Sequence, residues 1–321
     1  MQAPIPIIGV DVAQAELVVS AHAQGSSRPV PNDPVHIQRW LRTLPAGSVI
    51  AMESTGRYHR TLAQLAYEAG MQVYVLNARD IYYYAKAISA RGKTDRLDAA
   101  VIARYVAEHR EQLRPWQPAA GVTQQLQALL GRRQLLTDQR VMLRQSLGEL
   151  PQLQQATQEL LLAYQRMIEE IDRQMRCLVD SDATLREGVR RLGTITGFGA
   201  QASTLLAALF SRLHFDNADA VVAYSGLDPR PCDSGTRHGT RRLSKRGPAL
   251  VRRLLFLAGF SAAHSKALGP IYVQLRARGF ASTQATLILA RKLLRVAWAV
   301  WNSGKDFDPR LVGAQQACQK T

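Results

Sequence analysis

The sequence has few cysteines and no long hydrophobic run. Its three cysteines, Cys177, Cys232 and Cys318, show no CxxC spacing, which disfavours both a zinc knuckle and a disulfide framework. No apolar run reaches the roughly 18 residues of a membrane-spanning helix, and no charged region precedes an apolar stretch at the start of the sequence. These absences predict a cytoplasmic protein with no membrane partner.

Acidic residues are also scarce. The 321 residues include 41 Lys and Arg but 25 Asp and Glu, a net charge of +16. Residues 1–185 are nearly balanced, with 20 basic and 18 acidic side chains, whereas residues 186–321 carry 21 basic and 7 acidic ones. An excess of this kind can simply keep a surface solvated, but its asymmetry favours a polyanionic partner such as nucleic acid.

The composition is otherwise that of a globular protein, with 46% hydrophobic and 21% charged residues. The length predicts two domains, with room for a linker between them. In the first domain, short apolar runs alternate with segments whose apolar residues have helical spacing. This order predicts an α/β domain with a mixed sheet. Strands are expected at Ile5–Val10, Leu17–Val19, Val49–Met52 and Val73–Leu76, and helices at Val35–Leu44, Tyr58–Ala69 and Asp95–Ala107.

The middle of the chain predicts long helices. Leucines recur every seven residues from Leu129 to Leu150, and Pro151 then interrupts the pattern. A second seam with alternating steps of three and four runs from Leu161 to Leu178. These seams fit a helical hairpin, an intermolecular coiled coil or an amphipathic face on the domain's own core, and the spacing does not separate them.

The last part predicts helices interrupted by a basic loop. Leu192–Gly199 has three glycines and is similar to a helix-hairpin-helix turn, whose backbone N–H groups can hold a phosphate, although a plain helix-to-helix turn has the same appearance. Residues 226–248 form a loop rich in Gly, Pro and Arg that is too long for a simple connection, which favours a functional role. Helical periodicity returns at Arg252–His264 and Ala281–Trp301.

Four carboxylates are candidates for a metal site. Asp11 and Glu53 each end a predicted strand, and Asp95 and Asp98 are three residues apart, on one face of a predicted helix. Carboxylates this close would repel one another without a metal ion or a basic partner, and hard oxygen ligands at loose spacing suit Mg²⁺ (or Mn²⁺) better than zinc. Two such ions can stabilise the attacking and leaving oxygens of a phosphodiester.

Four sequence strings resemble a known family. The strings IGVDVAQAEL, MESTGRYH, GKTDRLDA and GLDPRPCDSGTRHGTRRLSKRGP are similar to those of the DEDD-type transposases of insertion sequences, the one-hundred-ten family, described as bridge-RNA-guided serine recombinases. The resemblance covers residues from about 5 to about 310. It implies an RNase H/RuvC-like α/β domain, a helical coiled-coil segment and a mainly helical transposase domain, here at residues 1–118, 119–185 and 186–321.

The resemblance also implies a site and partners. Asp11, Glu53, Asp95 and Asp98 would bind Mg²⁺, and Ser234 would be the nucleophile of a site composed from both domains. The partners would be donor and target DNA, a structured non-coding guide RNA and further copies of the chain, as a dimer or tetramer, in the nucleoid-associated cytoplasm of a bacterium.

The surroundings of Ser234 support this assignment. A serine hydroxyl is a weak nucleophile, and no residue beside Ser234 is an obvious strong base, the nearest candidates being Asp233 and His238. A lone Ser-Gly is more often just a turn. However, a dense cluster of cations nearby can bind phosphates and stabilise developing charge. The expected nucleic-acid-binding residues are Arg230, Arg237, Arg241, Arg242, Lys245, Arg246, Arg252 and Arg253.

The sequence therefore predicts a DNA transposase or recombinase that cuts and rejoins DNA through Ser234. Two alternatives differ in class. One is a RuvC-like nuclease in which the four acids hydrolyse a phosphodiester and Ser234 is structural. The other is a nucleic-acid-binding architectural protein without activity, which the presence of all four acids and the serine disfavours.

Overall fold

The computed structural model describes residues 5–22, 27–54, 56, 58–88, 95–118, 121–230 and 242–310. The chain forms two compact units, Met1–Pro118 and Ala119–Thr321. Among the described residues, no helix combines the length and the apolar character needed to cross a bilayer.

The first unit is built on one mixed sheet of five strands. The strands are β1 (Ile7–Val12), β2 (Glu16–Ala21), β3 (Ser27–Pro31), β4 (Val49–Glu53) and β5 (Gln72–Leu76). Their order in the sheet is β3-β2-β1-β4-β5. The hairpin strands β1, β2 and β3 pair antiparallel, whereas β1, β4 and β5 pair parallel. This mixed α/β architecture is consistent with the RNase H-like expectation.

Helices cover both faces of this sheet. They are α1 (Pro34–Leu41), α2 (His59–Glu68), α3 (Ala78–Ala87) and α4 (Asp95–His109). Successive strand residues point to opposite faces, so Val10 and Met52 pack in one core with residues of α1 and α2. Val49 and Ala51 pack in a second core with α4.

The predicted elements of this unit are confirmed, with ends shifted by a few residues, but two elements were missed. The strand β3 has the sequence SRPVP, whose two prolines look like a turn; it pairs only with β2, and a sheet edge tolerates proline. The helix α3 was missed because it contains three consecutive tyrosines, which favour strands by propensity.

The second unit is almost entirely helical. Its helices are α5 (Gly121–Leu147), α6 (Gln154–Asp180), α7 (Ala183–Gly193), α8 (Ala200–Arg212), α9 (Ala218–Ser225), α10 (Ala249–Ala263), α11 (Gly269–Ala277) and α12 (Ser282–Ser303). A short hairpin of β6 (Pro229–Arg230) and β7 (Arg242–Leu243) lies between α9 and α10. The helix α8 is buried at every residue from Ala202 to Phe210, so it forms the centre of this unit's core.

The two heptad seams form a helical hairpin within the chain. The helices α5 and α6 pack against each other, and a bidentate ion pair joins them, with Arg133 Nε 2.6 Å from an Asp172 carboxylate oxygen. Ile171 and Met175 of the second seam are buried in the core of the unit. The predicted helices at Arg252–His264 and Ala281–Trp301 are confirmed as α10 and α12, whereas α11 was not predicted.

Candidate active site and nucleic-acid interface

Asp11 and Glu53 lie side by side at one edge of the sheet. The parallel strands β1 and β4 pair Val10 with Met52, so the next residue of each strand, Asp11 and Glu53, occupies adjacent positions about 5 Å apart at Cα. Both are half-buried. Each lies two residues beyond Gly9 or Ala51, which pair in register, and therefore on the face of the sheet that α4 covers.

The helix α4 brings its first turn to the same edge. Just beyond its last turn, Arg110 donates a hydrogen bond to the side chain of Gln72, the first residue of β5. The end of α4 thus lies at the amino ends of the parallel strands, and its beginning lies toward their carboxyl ends. Asp95 begins this helix and Asp98, which is half-buried, follows within its first turn.

A glycine sets the height of α4 over the sheet. A Cβ placed on Gly9 would come 2.0 Å from the Ala99 carbonyl oxygen and 2.5 Å from the Ala103 backbone nitrogen. From this contact, Asp11 is two residues, about 6.6 Å, further along β1. Asp95 is four residues, about 6 Å, earlier along α4. The backbone positions of Asp11 and Asp95 therefore lie at about the same height along the sheet. Gly9, which has no chemical group that would mark it in the sequence, allows this close approach.

The structure describes the side chains of three of the four candidate carboxylates. The structure places Asp11, Glu53 and Asp98 on one side of the sheet, whereas the side chain of Asp95 lies outside its description. Within the described part of the chain, no three His, Cys, Asp or Glu side chains are grouped closely enough to hold a metal ion. The donor chemistry, carboxylate oxygens alone, nevertheless fits Mg²⁺.

The base of the basic loop is tightly constrained. A Cβ on Gly247 would lie 2.0 Å from the Tyr224 carbonyl oxygen, and one on Gly226, whose φ is +71°, would lie 2.7 Å from the Gly247 nitrogen. Ser244 is buried, and its hydroxyl donates a hydrogen bond to the Asp228 carboxylate. These contacts hold the residues on either side of the paired strands β6 and β7, which flank the candidate nucleophile in the sequence.

Lys245 lies at this base in a strained backbone conformation. Its φ is +53°, a left-handed value that is uncommon for residues other than glycine. Its backbone N–H donates to the Gly226 carbonyl oxygen at 3.1 Å, and its side chain is exposed. Strain of this kind persists where the surrounding structure enforces it and often marks a functional segment.

The expected nucleic-acid-binding residues fall into three groups. Ser234, Arg237 and Arg241 lie outside the described residues, so their roles stay predictions. Arg242, Lys245 and Arg246 are exposed, and Arg230 is half-buried in β6. Arg252 and Arg253 make contacts within the protein.

The contacts of Arg252 and Arg253 give both residues a structural role. Arg252 donates to the carbonyl oxygens of Ser225 and Gly247 and so ties α10 to the base of the loop. Arg253 forms a bidentate ion pair with Asp138 of α5, at 2.6 Å for the shorter contact. Whether either residue also binds phosphate stays a prediction.

The glycine-rich turn before α8 has a packing explanation. Gly197 has a φ of +96°, and a Cβ there would meet the Ala258 carbonyl oxygen at 2.5 Å. The turn thus needs glycine to approach α10 closely, whether or not it holds a phosphate. Gly199 forms the N-cap of α8 without a side-chain bond.

A second cationic cluster lies on α12. Arg291 and Lys292 are half-buried, and burial together with the neighbouring Arg295 lowers the pKa of both groups. Arg295 forms an ion pair with Asp219. Arg291 also lines a cavity of about 450 Å³ whose other walls are mostly apolar.

Comparison with known proteins identifies the family. A transposase model of the DEDD type named for IS110 matches residues 8–156, and a model of the IS116/IS110/IS902 transposase family matches residues 189–274. Together these matches span more than two thirds of the chain. The chain belongs to the IS110 family of transposases. Membership implies an enzyme that cuts and rejoins DNA.

Individual relatives support the same family assignment. The pilin gene-inverting proteins of Moraxella bovis and Moraxella lacunata are each 28% identical over 267 residues, which is 82% of this chain and 82% of theirs. A protein of insertion element IS900 from Mycobacterium paratuberculosis is 33% identical over 142 residues, 40% of this chain and 35% of that protein.

Proposed function

We propose that this IS110-family transposase is a Mg²⁺-dependent DNA recombinase that breaks and rejoins strands through a covalent link to Ser234. The observation that carries the proposal is the sheet edge where Asp11 and Glu53 are neighbours and where the first turn of α4 begins. Like charges directly opposite each other in a sheet are destabilising. The carboxylate oxygens at this edge are the hard ligands that Mg²⁺ prefers, and a divalent cation held between them would lower the repulsion of the two side chains.

The covalent step conserves the number of phosphoester bonds. The Ser234 oxygen forms a bond to phosphorus, the bond to one deoxyribose oxygen breaks, and that oxygen leaves as a hydroxyl with the proton that the serine gives up. Rejoining is the reverse attack by a deoxyribose hydroxyl, which restores the serine. When bound, Mg²⁺ would supply Lewis-acid stabilisation of charge on the phosphate oxygens. Asp11, Glu53, Asp95 and Asp98 are the residues that would hold it.

Inversion of a DNA segment, the activity named for the two Moraxella relatives, requires rejoining as well as cutting. A nuclease that only hydrolyses a phosphodiester would leave broken ends. This comparison favours a recombinase over the nuclease alternative.

A guide RNA and self-association complete the proposal. We infer that a structured RNA encoded beside the gene pairs with donor and target DNA, while the exposed cations at the base of the loop, Arg242, Lys245 and Arg246, hold phosphates. Strand exchange needs more than one cleavage event, so several copies of the chain act together. Recombination with and without the transcribed flanking RNA tests the guide, and sedimentation of the assembled complex tests the copy number.

A nicked suicide substrate tests the nucleophile. With Mg²⁺, the unaltered protein should form a covalent DNA adduct that survives denaturation, and Ser234→Ala should form none while still binding DNA. The matched control is Ser211→Ala, which removes an exposed serine of α8. An adduct that persists in Ser234→Ala would eliminate this serine as the nucleophile, and strand cutting without any adduct would restore the nuclease alternative.

Carboxylate variants test the metal site separately. Asp11→Asn should abolish strand cleavage and weaken Mn²⁺ binding measured by calorimetry, since the substitution removes a charged ligand. Glu16→Gln, at an exposed position of β2 in the same unit, is the control and should leave both unchanged. Full cleavage by Asp11→Asn, or full activity in excess chelator, would contradict the metal assignment.

A further inference from the structure

The helix α3 has two chemically different faces. Ile81, Tyr84, Ala85 and Ile88 follow the i, i+3, i+4, i+7 spacing of one helical face and pack in the core with α4. The opposite face has the same spacing and consists of Arg79, Tyr82, Tyr83 and Lys86. All four of these side chains are exposed, and we call this face the tyrosine stripe.

The two tyrosines of the stripe are unusually exposed for large rings. Tyr82 is 54% exposed and Tyr83 is 51% exposed, so neither ring is explained by packing in the core. Their ring centroids are 5.4 Å apart, and the rings meet edge to face at 70°. Because the rings are not parallel, each can stack against a separate base, but the pair cannot extend one continuous stack.

A cation from one helical turn away lies over each ring. The Lys86 ammonium lies 4.6 Å from the Tyr82 ring centroid, and the Arg79 guanidinium lies 5.6 Å from that of Tyr83. The hydrogen bond between the Tyr82 and Lys86 side chains raises the pKa of Lys86. The stripe contains no carboxylate, in a part of the chain where acidic and basic residues are otherwise nearly balanced.

The stripe begins at the edge that carries the candidate carboxylates. Glu53 pairs in register with Leu76, the last residue of β5. Asn77 then caps α3 by accepting a hydrogen bond from the Arg79 backbone N–H at 2.9 Å. Tyr82 is four residues into the helix, so it lies about 6 Å along the helix axis from its first residue.

We propose that the tyrosine stripe is a stacking platform for unpaired nucleotides that pass beside the carboxylate edge. Aromatic rings stack on any nucleobase, and nearby cations contact the phosphates of the same strand. Paired bases inside a duplex present no face to such rings, so the platform selects unpaired strands. The proposal rests on the proposed function and adds to it a site for single strands, whether they come from opened DNA or from RNA.

The first test compares binding of single-stranded and duplex probes to the full chain. Tyr82→Ala/Tyr83→Ala should weaken binding of oligothymidylate or oligouridylate by about tenfold or more, while duplex DNA of matched length binds as before. Moderately high salt should be used because it suppresses the background from the basic unit. Comparison of the DNA and RNA strands identifies the source of the unpaired bases.

Three further variants separate stacking from charge and from folding. Tyr82→Phe/Tyr83→Phe keeps both rings and should bind within about threefold of the unaltered protein. Arg79→Gln/Lys86→Gln should lower the slope of log affinity against log salt by about 1.4 on single strands, whereas the alanine pair should leave that slope unchanged. Tyr67→Ala, at another exposed tyrosine of the same unit, is the control and should change neither quantity.

Photocrosslinking locates the contact directly. A strand containing 4-thiothymidine should crosslink to Tyr82 or Tyr83, as mapped by mass spectrometry. Unchanged single-strand affinity in the alanine pair, equal losses for duplex and single strands, or loss of self-association would each overturn the platform. If the alanine pair binds normally while Asp11→Asn still blocks cleavage, only the platform fails; if Asp11→Asn cleaves normally, the proposed function fails.

Discussion

Replacing Gly9 with alanine should lift α4 from the sheet. The added Cβ would be 2.0 Å from the Ala99 carbonyl oxygen and 2.5 Å from the Ala103 nitrogen, and both are backbone atoms that cannot rotate away. An ordinary carbon-to-oxygen contact is about 3.3 Å. The helix or the strand must therefore move by more than about 1 Å.

The cost of that movement follows from what α4 buries. Ala99, Ala103 and Val106 are completely buried, and Ile102 is nearly so. Overpacking a core costs about 1–3 kcal/mol when side chains can adjust. Here the clash involves backbone atoms, and moving them apart also breaks the surrounding packing contacts. We therefore expect the free energy of unfolding to fall by about 3 kcal/mol or more. For a unit of this size, that corresponds to a fall of at least about 10 °C in its melting temperature.

Calorimetry and hydrogen exchange should be used together, because a chain of two units need not unfold in one step. Gly9→Ala should lower the first unit's transition and reduce protection of the β1 and α4 amides. Gly131→Ala is the matched control: nothing lies within 4 Å of its added Cβ in the middle of α5, so improved helix propensity should stabilise the protein by up to about 1 kcal/mol. Unchanged protection in Gly9→Ala would refute the close approach of α4.

Three further predictions concern charge and hydrogen bonding. Arg241→Gln/Arg242→Gln should lower the salt slope of duplex affinity by about 1.8, for cognate and unrelated sequences alike; a loss confined to the cognate sequence in a salt titration would show base reading instead. Burial and the hydrogen bond to Glu108 raise the pKa of Tyr84 to about 12, so this bond stabilises the fold below pH 10 and is lost as the pH rises toward 12. In urea unfolding, Tyr84→Phe should therefore have a lower midpoint than the unaltered protein at neutral pH, and the difference between the two midpoints should shrink at high pH. Lys292→Met should raise the thermal midpoint of the second unit, since burial and neighbouring cations disfavour the charged amine, and an unchanged midpoint would contradict that reasoning.

Much of the first unit could be predicted because its strands are buried on both faces. Val49–Met52 and Val73–Leu76 are continuous apolar runs, and such runs are typical of parallel strands covered by helices. The edge strand β3 had no such signal, because one neighbour and two prolines leave it without an apolar run. Local pattern therefore identified the central strands and missed the edge strand.

Of the candidate site, too, only those features that depend on local pattern could be predicted. Asp11 and Glu53 could be placed at strand ends from local pattern, but their adjacency depends on the register of β1 with β4, which joins residues more than forty positions apart. The role of Gly9 depends on the contact with α4, and a single glycine within a strand does not reveal its partner. The tyrosine stripe was missed for a simpler reason, since α3 was not predicted as a helix.

Both units use backbone contact at a glycine to hold a segment that bears candidate functional residues. In the first unit, Gly9 lets α4 approach β1 closely, so the height of the helix that begins at Asp95 is set by main-chain atoms. In the second unit, Gly247 lies against the backbone of Tyr224 and so holds the chain that follows β7, close in sequence to the candidate nucleophile Ser234. Main-chain contacts vary less than side-chain rotamers, and recombination chemistry needs groups held within about 0.5 Å of a productive arrangement. Substitution at either glycine should therefore impair catalysis through position, even though neither residue has a side chain that could take part in the reaction.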